Sequence, residues 1–263
     1  MMTRKLLALS LALLMLAGAL PAFAENALTV TFTDSTGREV EVPAPELIER
    51  IVPSGGMAQI VLFSLAPEYF VALATEWSRE AEEFVGDFYN LPVLGQLYGN
   101  SDLNLEELAA ADPQIVVDVG EAKGSIAEDM DGLQRQVGIP AVHVDAYIET
   151  MGDTYRTLGK LLGLEERAEV LAAYCEGVYW RAEDIMAKIP AEDRAKMLYL
   201  LGGDGLNVIA NGSYHAQLID MVADNLAVVD DPSSRGTGNP VDMEQLLLWD
   251  PEIIVFAHDS AYD

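Results

Sequence analysis

The sequence predicts an α/β protein of two Rossmann-like lobes joined by a long helical connector, with the second lobe incomplete. Three observations predict it. Short β-branched runs alternate with stretches of helical period on both sides of the middle of the chain, which is the pattern of a mainly parallel sheet. From Ile148 to Ile189 the period is helical, interrupted only near Gly163, and no credible strand occurs. The third observation is an internal repeat. Asn104-Leu-Glu-Glu-Leu-Ala-Ala-Ala-Asp-Pro-Gln-Ile-Val-Val-Asp118 lines up without a gap on Asp242-Met-Glu-Gln-Leu-Leu-Leu-Trp-Asp-Pro-Glu-Ile-Ile-Val-Phe256, an offset of 138 residues (242 less 104).

Taken in order, residues 1–24 read as a cleaved leader. Arg4 and Lys5 precede the apolar run Leu6 to Leu20, Pro21 ends it, and Ala22-Phe23-Ala24 offers small residues where a signal peptidase reads, so cleavage is expected after Ala24. No cysteine stands directly behind the apolar run, which argues against a lipid anchor and for a soluble periplasmic product. The first lobe is expected over 25–147. It opens with a hairpin, Thr29–Thr33 and Arg38–Val42 around Asp34-Ser-Thr-Gly37. Then come the strand Arg50-Ile-Val-Pro53, a Ser54-Gly55-Gly56 turn and an apolar helix from Met57 to Leu65. Strands at Phe70–Ala74, Gln114–Val119 and Ala141–Val144 alternate with helices at Asn104–Ala111 and Ser125–Val137.

The connector is expected over 148–189 and the second lobe over 190–263. Rich in Ala, Leu and Glu and poor in Gly, Ser and Pro, the connector should be rigid. In the second lobe, strands are expected at Met197–Leu201, Asn207–Ala210 and Glu252–Ala257, with helices at Ser213–Asp224 and Asp242–Trp249. In each repeat copy the leading Asn or Asp can cap the helix, with Glu107 or Gln245 at the third helical position, and Asp-Pro ends it before the strand.

The formal charge of the 263 residues is −28, and about −30 once Arg4 and Lys5 leave with the leader. Phosphate backbones would be repelled, so a nucleic-acid partner is excluded. Cys175 is the single cysteine, so no internal disulfide forms, and its Ala172, Ala173 and Val178 neighbours place it in packing. His143, His215 and His258 lack the spacings that bring metal ligands together, and no bare metal site is expected. His143 reads as structural, while His215 and His258 read as cleft candidates.

The order and spacing of several segments resemble the periplasmic substrate-binding proteins of ABC importers, in the iron-siderophore, haem and cobalamin branch whose lobes are linked by a single helix. The segments are the Asp34-Ser-Thr-Gly-Arg38 hairpin, the Arg50-Ile-Val-Pro53 strand, the repeat at 105–115, the connecting helix, and the second Met243-Glu-Gln-Leu copy with its Asp250-Pro-Glu-Ile253. The resemblance implies a carrier, not an enzyme. It would need no cofactor, since a metal complex would be its transported ligand, held between the lobes and delivered to a permease dimer in the inner membrane. By matching position, Glu106 and Glu244 would pair with permease arginines. A molybdate or tungstate carrier of the same fold is the alternative. Relatives continue beyond the last strand with elements that complete the second lobe, so a fragment is expected.

Ligands of open α/β sheets bind at the carboxyl ends of strands and at helix starts. That rule selects Ser54, Gly55, Gly56, Trp77, Tyr98, Asn100 and Glu121 from the first lobe. From the second it selects Asp204, Asn207, Ser213, Tyr214, Arg235, His258 and Asp259. The two glycines would let backbone N–H groups approach an anionic or carbonyl-bearing group. A rival reading is an exported hydrolase with Ser54 or Ser213 as nucleophile, although neither serine lies in a G-x-S-x-G elbow.

Overall fold

The computed structural model describes residues 28–98, 101–233 and 235–257. The chain opens with β1 (Thr29–Thr33) and β2 (Glu39–Pro43), an antiparallel hairpin with Phe32 opposite Val40. Asp34 fixes the turn, its Oδ1 accepting the N–H groups of Thr36 and Arg38 at 3.0 and 3.1 Å.

The first lobe is built on a parallel sheet of β3 (Ile51–Pro53), β4 (Ile115–Gly120) and β5 (Ala141–Asp145), with β4 in the centre. Residues of alternating parity face two cores. On one side, Ile51, Ile115, Val117 and Val142 pack under Val61 and Leu62 of α1 (Gly56–Leu65). On the other, Val52, Val116 and Ala141 pack under Leu108 and Met130. A short helix α2 (Glu82–Val85) follows α1, and Leu108 belongs to α3 (Leu105–Ala110), Met130 to α4 (Ile126–Val137). Both faces are thus covered, as near-continuous apolar strands require. The strand expected at Phe70–Ala74 is reduced to two isolated bridges, Ile51 with Phe70 and Leu73 with Val93.

The connector is two helices, α5 (Met151–Leu162) and α6 (Glu165–Met186), broken where Gly163 adopts φ +67°. Tyr155, Leu158, Leu161 and Leu162 of α5 and Ala168 and Ala172 of α6 belong to the first lobe's core, and α6 runs on to touch the second lobe. A side chain on Gly159 would meet the Ala168 methyl at 2.4 Å, so glycine lets the two helices close up. Arg156 then clamps them, bridging Glu169 (2.7 Å) and Glu176. Cys175 is partly buried against the same core.

The second lobe centres on β6 (Lys196–Leu201). It pairs with β7 (Asn207–Val208), β8 (Asp224–Asn225) and β10 (Ile253–Phe256), while β9 (Asn239–Pro240) extends the sheet beyond β7. Leu198, Leu200, Val208, Ala227 and Leu246 form a smaller core. The helix expected at Ser213–Asp224 is a 3-10 turn followed by α7 (Gln217–Val222), and the repeat's second helix is α8 (Met243–Trp249). No helix among the described residues is long and apolar enough to cross a membrane.

Candidate functional site

The carboxyl ends of β4 and β5 face the second lobe, and contacts between the lobes gather there. The Tyr214 hydroxyl donates to the Ala146 carbonyl just after β5 (2.7 Å), and the Ile148 N–H donates to Gln217 Oε1 (2.8 Å). The Tyr147 and Tyr214 rings meet edge to face at 5.4 Å, and Tyr214 and His215 do the same at 5.4 Å. Burial, then the charge of Glu121, pushes the Tyr214 phenol up to about 12, so it remains a donor at neutral pH. Beneath it, a side chain on Gly120 would come within 3.9 Å of the Tyr214 hydroxyl. The loop carrying Arg235 reaches the same place, since a side chain on Gly236 would lie 3.5 Å from the His215 ring.

Below this seam a line of polar groups crosses the three strands. Ser54 is buried and donates its hydroxyl to Asp118 Oδ1, while Asp118 Oδ2 lies 2.6 Å from His143 Nδ1. His143 Nε2 lies 2.9 Å from Asp145 Oδ1. The order is serine, aspartate, histidine. A serine nucleophile needs its hydroxyl against the histidine base, and here Ser54 is engaged by the carboxylate instead. Ser213, buried with its hydroxyl unpartnered among the described residues, has no such base either. Neither serine is set up for the hydrolase reading.

The start of α1 carries Gly55 and Gly56 as expected, but Gln96 covers it. The Gly56 N–H donates to Gln96 Oε1 at 3.3 Å, a donor an incoming anion would have to compete for. Tyr98 donates to Asp129 (2.8 Å) and lies under the Lys123 ammonium, 4.2 Å from the ring centroid; burial and then Asp129 raise its pKa. Trp77 turns inward and packs on Phe63, ring centroids 5.0 Å apart. Asp204 and Asn207 shape a second-lobe turn, Asp204 accepting the Leu206 N–H at 3.3 Å. Asn100, His258 and Asp259 lie outside the described residues. Glu106 and Glu244 are both exposed in the first turns of α3 and α8.

Thus Tyr214 and Glu121 come to the seam with the loop of Arg235 beside it and Ser54 close beneath, while Trp77, Asp204 and Asn207 serve packing and turns. Sequence reasoning missed Tyr147, Gln217, Gln96, Asp118 and Asp145. Tyr147 was within reach of the strand-end rule applied to β5. Asp118 was signalled by its place in the apolar run Ile115-Val-Val-Asp-Val119, because a buried acid persists only with partners. Two hollows lie within single lobes: about 570 Å³ beside Gln245 and Trp249, and about 330 Å³ between α3 and α4. Neither is lined by Tyr147 or Tyr214, so convergence of side chains from both lobes, not depth, marks the seam.

Comparison with known proteins agrees with this architecture. An ABC transporter solute-binding protein from Sulfurospirillum deleyianum is similar, with TM-score 0.76 and 26% identity over 88% of this chain and 72% of that one. The molybdate-binding MolA of Haemophilus influenzae shares the fold, with TM-score 0.68 and 17% identity over 88% and 74%. So does the haem-binding protein HmuT, with TM-score 0.59 and 21% identity over 88% and 72%. No curated protein sequence matches. The model of the periplasmic binding protein family matches residues 94–261, taking in both copies of the repeat and the connecting helices between them. That match covers more than half of a chain whose two α/β lobes are joined by a helical connector, and the chain belongs to the periplasmic binding protein family.

Proposed function

We propose that the chain binds a metal chelate of the iron-siderophore, haem or cobalamin kind between its lobes and delivers it to an ABC permease dimer in the inner membrane. The observation that carries this reading is the ring cluster of Tyr147, Tyr214 and His215, assembled from both lobes at the strand ends. Such rings suit a large, partly apolar ligand, with the exposed Arg235 on the loop that passes His215 to meet a chelate's carboxylates. A bare molybdate or tungstate would face Glu121, Asp118 and Asp145 instead, and the Gly56 N–H that could cradle it is already engaged by Gln96. Glu106 and Glu244 project from matching positions in the two lobes, free to make charge-assisted pairs with permease arginines.

A thermal melt of the purified protein against ferric siderophores, haem, cobalamin, molybdate and tungstate tests the reading, because a ligand of the folded state raises the midpoint. A rise with one chelate class is expected. A rise confined to the oxyanions overturns the chelate in favour of the oxyanion carrier. Reversing Glu106 and Glu244 to lysine should abolish uptake through the permease while leaving that midpoint shift intact; unchanged uptake would remove the docking role.

A further inference from the structure

In the first lobe His143 stands between two carboxylates. Its Nδ1 is 2.6 Å from Asp118 and its Nε2 is 2.9 Å from Asp145. Ionised carboxylates only accept, so both ring nitrogens must donate, and imidazole carries two N–H groups only as the cation. Charged groups surround it on every packed element. From the hairpin turn Asp34 Oδ2 accepts the His143 N–H (3.3 Å) but is itself held by Arg38 (2.8 Å), which also reaches Asp131 of α4 (2.7 Å). From β4 comes Asp118, from β5 Asp145, and from the strand end beyond β4 Glu121, which faces Tyr214. Among the described residues, His143 is the one cation within hydrogen-bond reach of both Asp118 and Asp145. Burial pulls its pKa down, but the hydrogen bond and charge of Asp118, then of Asp145, outweigh that, and the balance lies above the ordinary 6.5.

What makes this more than local is the position of Asp145. It ends β5, and the next three residues, Ala146 to Ile148, receive Tyr214 and Gln217 from the second lobe. Asp145 is 39% exposed on its side chain, so it can leave the imidazole for water. We propose that His143 is a proton-operated tie: as the cation, anchored on Asp118 of β4 through Nδ1–H, it holds the carboxylate of Asp145 at the end of its own strand and so steadies residues 146–148 on the second lobe, and without its proton it releases Asp145 and lets the seam loosen. On deprotonation Nδ1–H stays on the buried Asp118, and Nε2 becomes an acceptor facing the Asp145 oxygen. The sign follows from the raised value. The tie is complete below the unfolded histidine's value near 6.5 and is lost as pH rises through the higher folded value. The tie is independent of the carrier reading and needs no ligand.

The test is nuclear magnetic resonance of the unliganded protein across pH 6 to 9. With three histidines in the chain, the His143 signal is identified by its loss in His143→Gln. The His143 midpoint should lie above that of an exposed histidine, and the protection of the Ile148 amide, corrected for intrinsic exchange, should fall severalfold through the same midpoint. In His143→Gln that protection should be low and flat. Asp145→Asn, a change at an exposed side chain, keeps the test available if His143→Gln fails to fold, and should lower the His143 midpoint. A His143 midpoint at or below 6.5, or Ile148 protection indifferent to it, overturns the proposal.

Discussion

The two copies of the helix-strand repeat fold alike and live in different surroundings. In each, the leading residue caps the helix, Asn104 accepting from the Glu106 and Glu107 N–H groups and Asp242 from that of Gln245. In each, the aspartate before proline takes φ +48°, as Asp112 and Asp250. The residue after proline then caps the neighbouring strand: Gln114 accepts from the Arg50 N–H (3.0 Å) and Glu252 from the Lys196 N–H (3.2 Å). Burial is where they part. All six residues of β4 are buried between β3 and β5, whereas the four residues of β10 are 36 to 43% exposed and pair with β6 alone among the described strands. A short sequence pattern therefore dictates backbone and caps, while burial belongs to the neighbours.

The sharpest contrast is at the last repeat position, Asp118 against Phe256. Asp118→Ala would strip Ser54 and His143 of their buried partner and should cost about 3–5 kcal/mol, as loss of one member of a buried ionic network does. Phe256→Ala, at a site 39% exposed, should cost about 1 kcal/mol. Urea denaturation of both variants checks this. Equal losses would mean that the second copy is as tightly enclosed as the first.

The helices give the next contrast. Leu108 is fully buried, and Leu108→Ala should cost about 2–5 kcal/mol through lost burial and a residual cavity. Its counterpart Leu246 is also turned inward, at 7% exposure, but the next residue, Leu247, is 72% exposed, and Leu247→Ala should stay within about 0.5 kcal/mol. If Leu247→Ala destabilised as much as Leu108→Ala, this face of α8 would be covered in solution.

The same division explains what could be read from the sequence. The hairpin, the parallel strands β3 to β6 and both repeat helices were legible, because period, caps and Asp-Pro breaks are local signals. Phe70–Ala74 misled, since its apolar run packs Phe70 and Leu73 into the core without strand partners enough to make a ladder. At the site, Tyr214, Glu121 and Arg235 followed from the strand-end rule, but the polar line from Ser54 to Asp145 did not. That line joins residues from three strands, up to 91 positions apart (145 less 54), and no local spacing announces it.

The smallest predicted effect is the one the two copies should share. Asn104→Ala and Asp242→Ala each remove a side-chain acceptor from a first-turn N–H group, and each should cost about 1 kcal/mol. Both side chains are exposed, so neither substitution opens a cavity, and the surroundings that separate β4 from β10 have little part in the loss. Asn104 accepts two N–H groups to Asp242's one, whereas the carboxylate of Asp242 adds attraction to the positive end of the helix, so the two differences oppose each other. Denaturation of both variants should therefore give losses within about 0.5 kcal/mol of each other. A much larger loss for Asn104→Ala would show that the cap is coupled to the buried packing of Leu108, and that local pattern and neighbours are not separable even at the helix start.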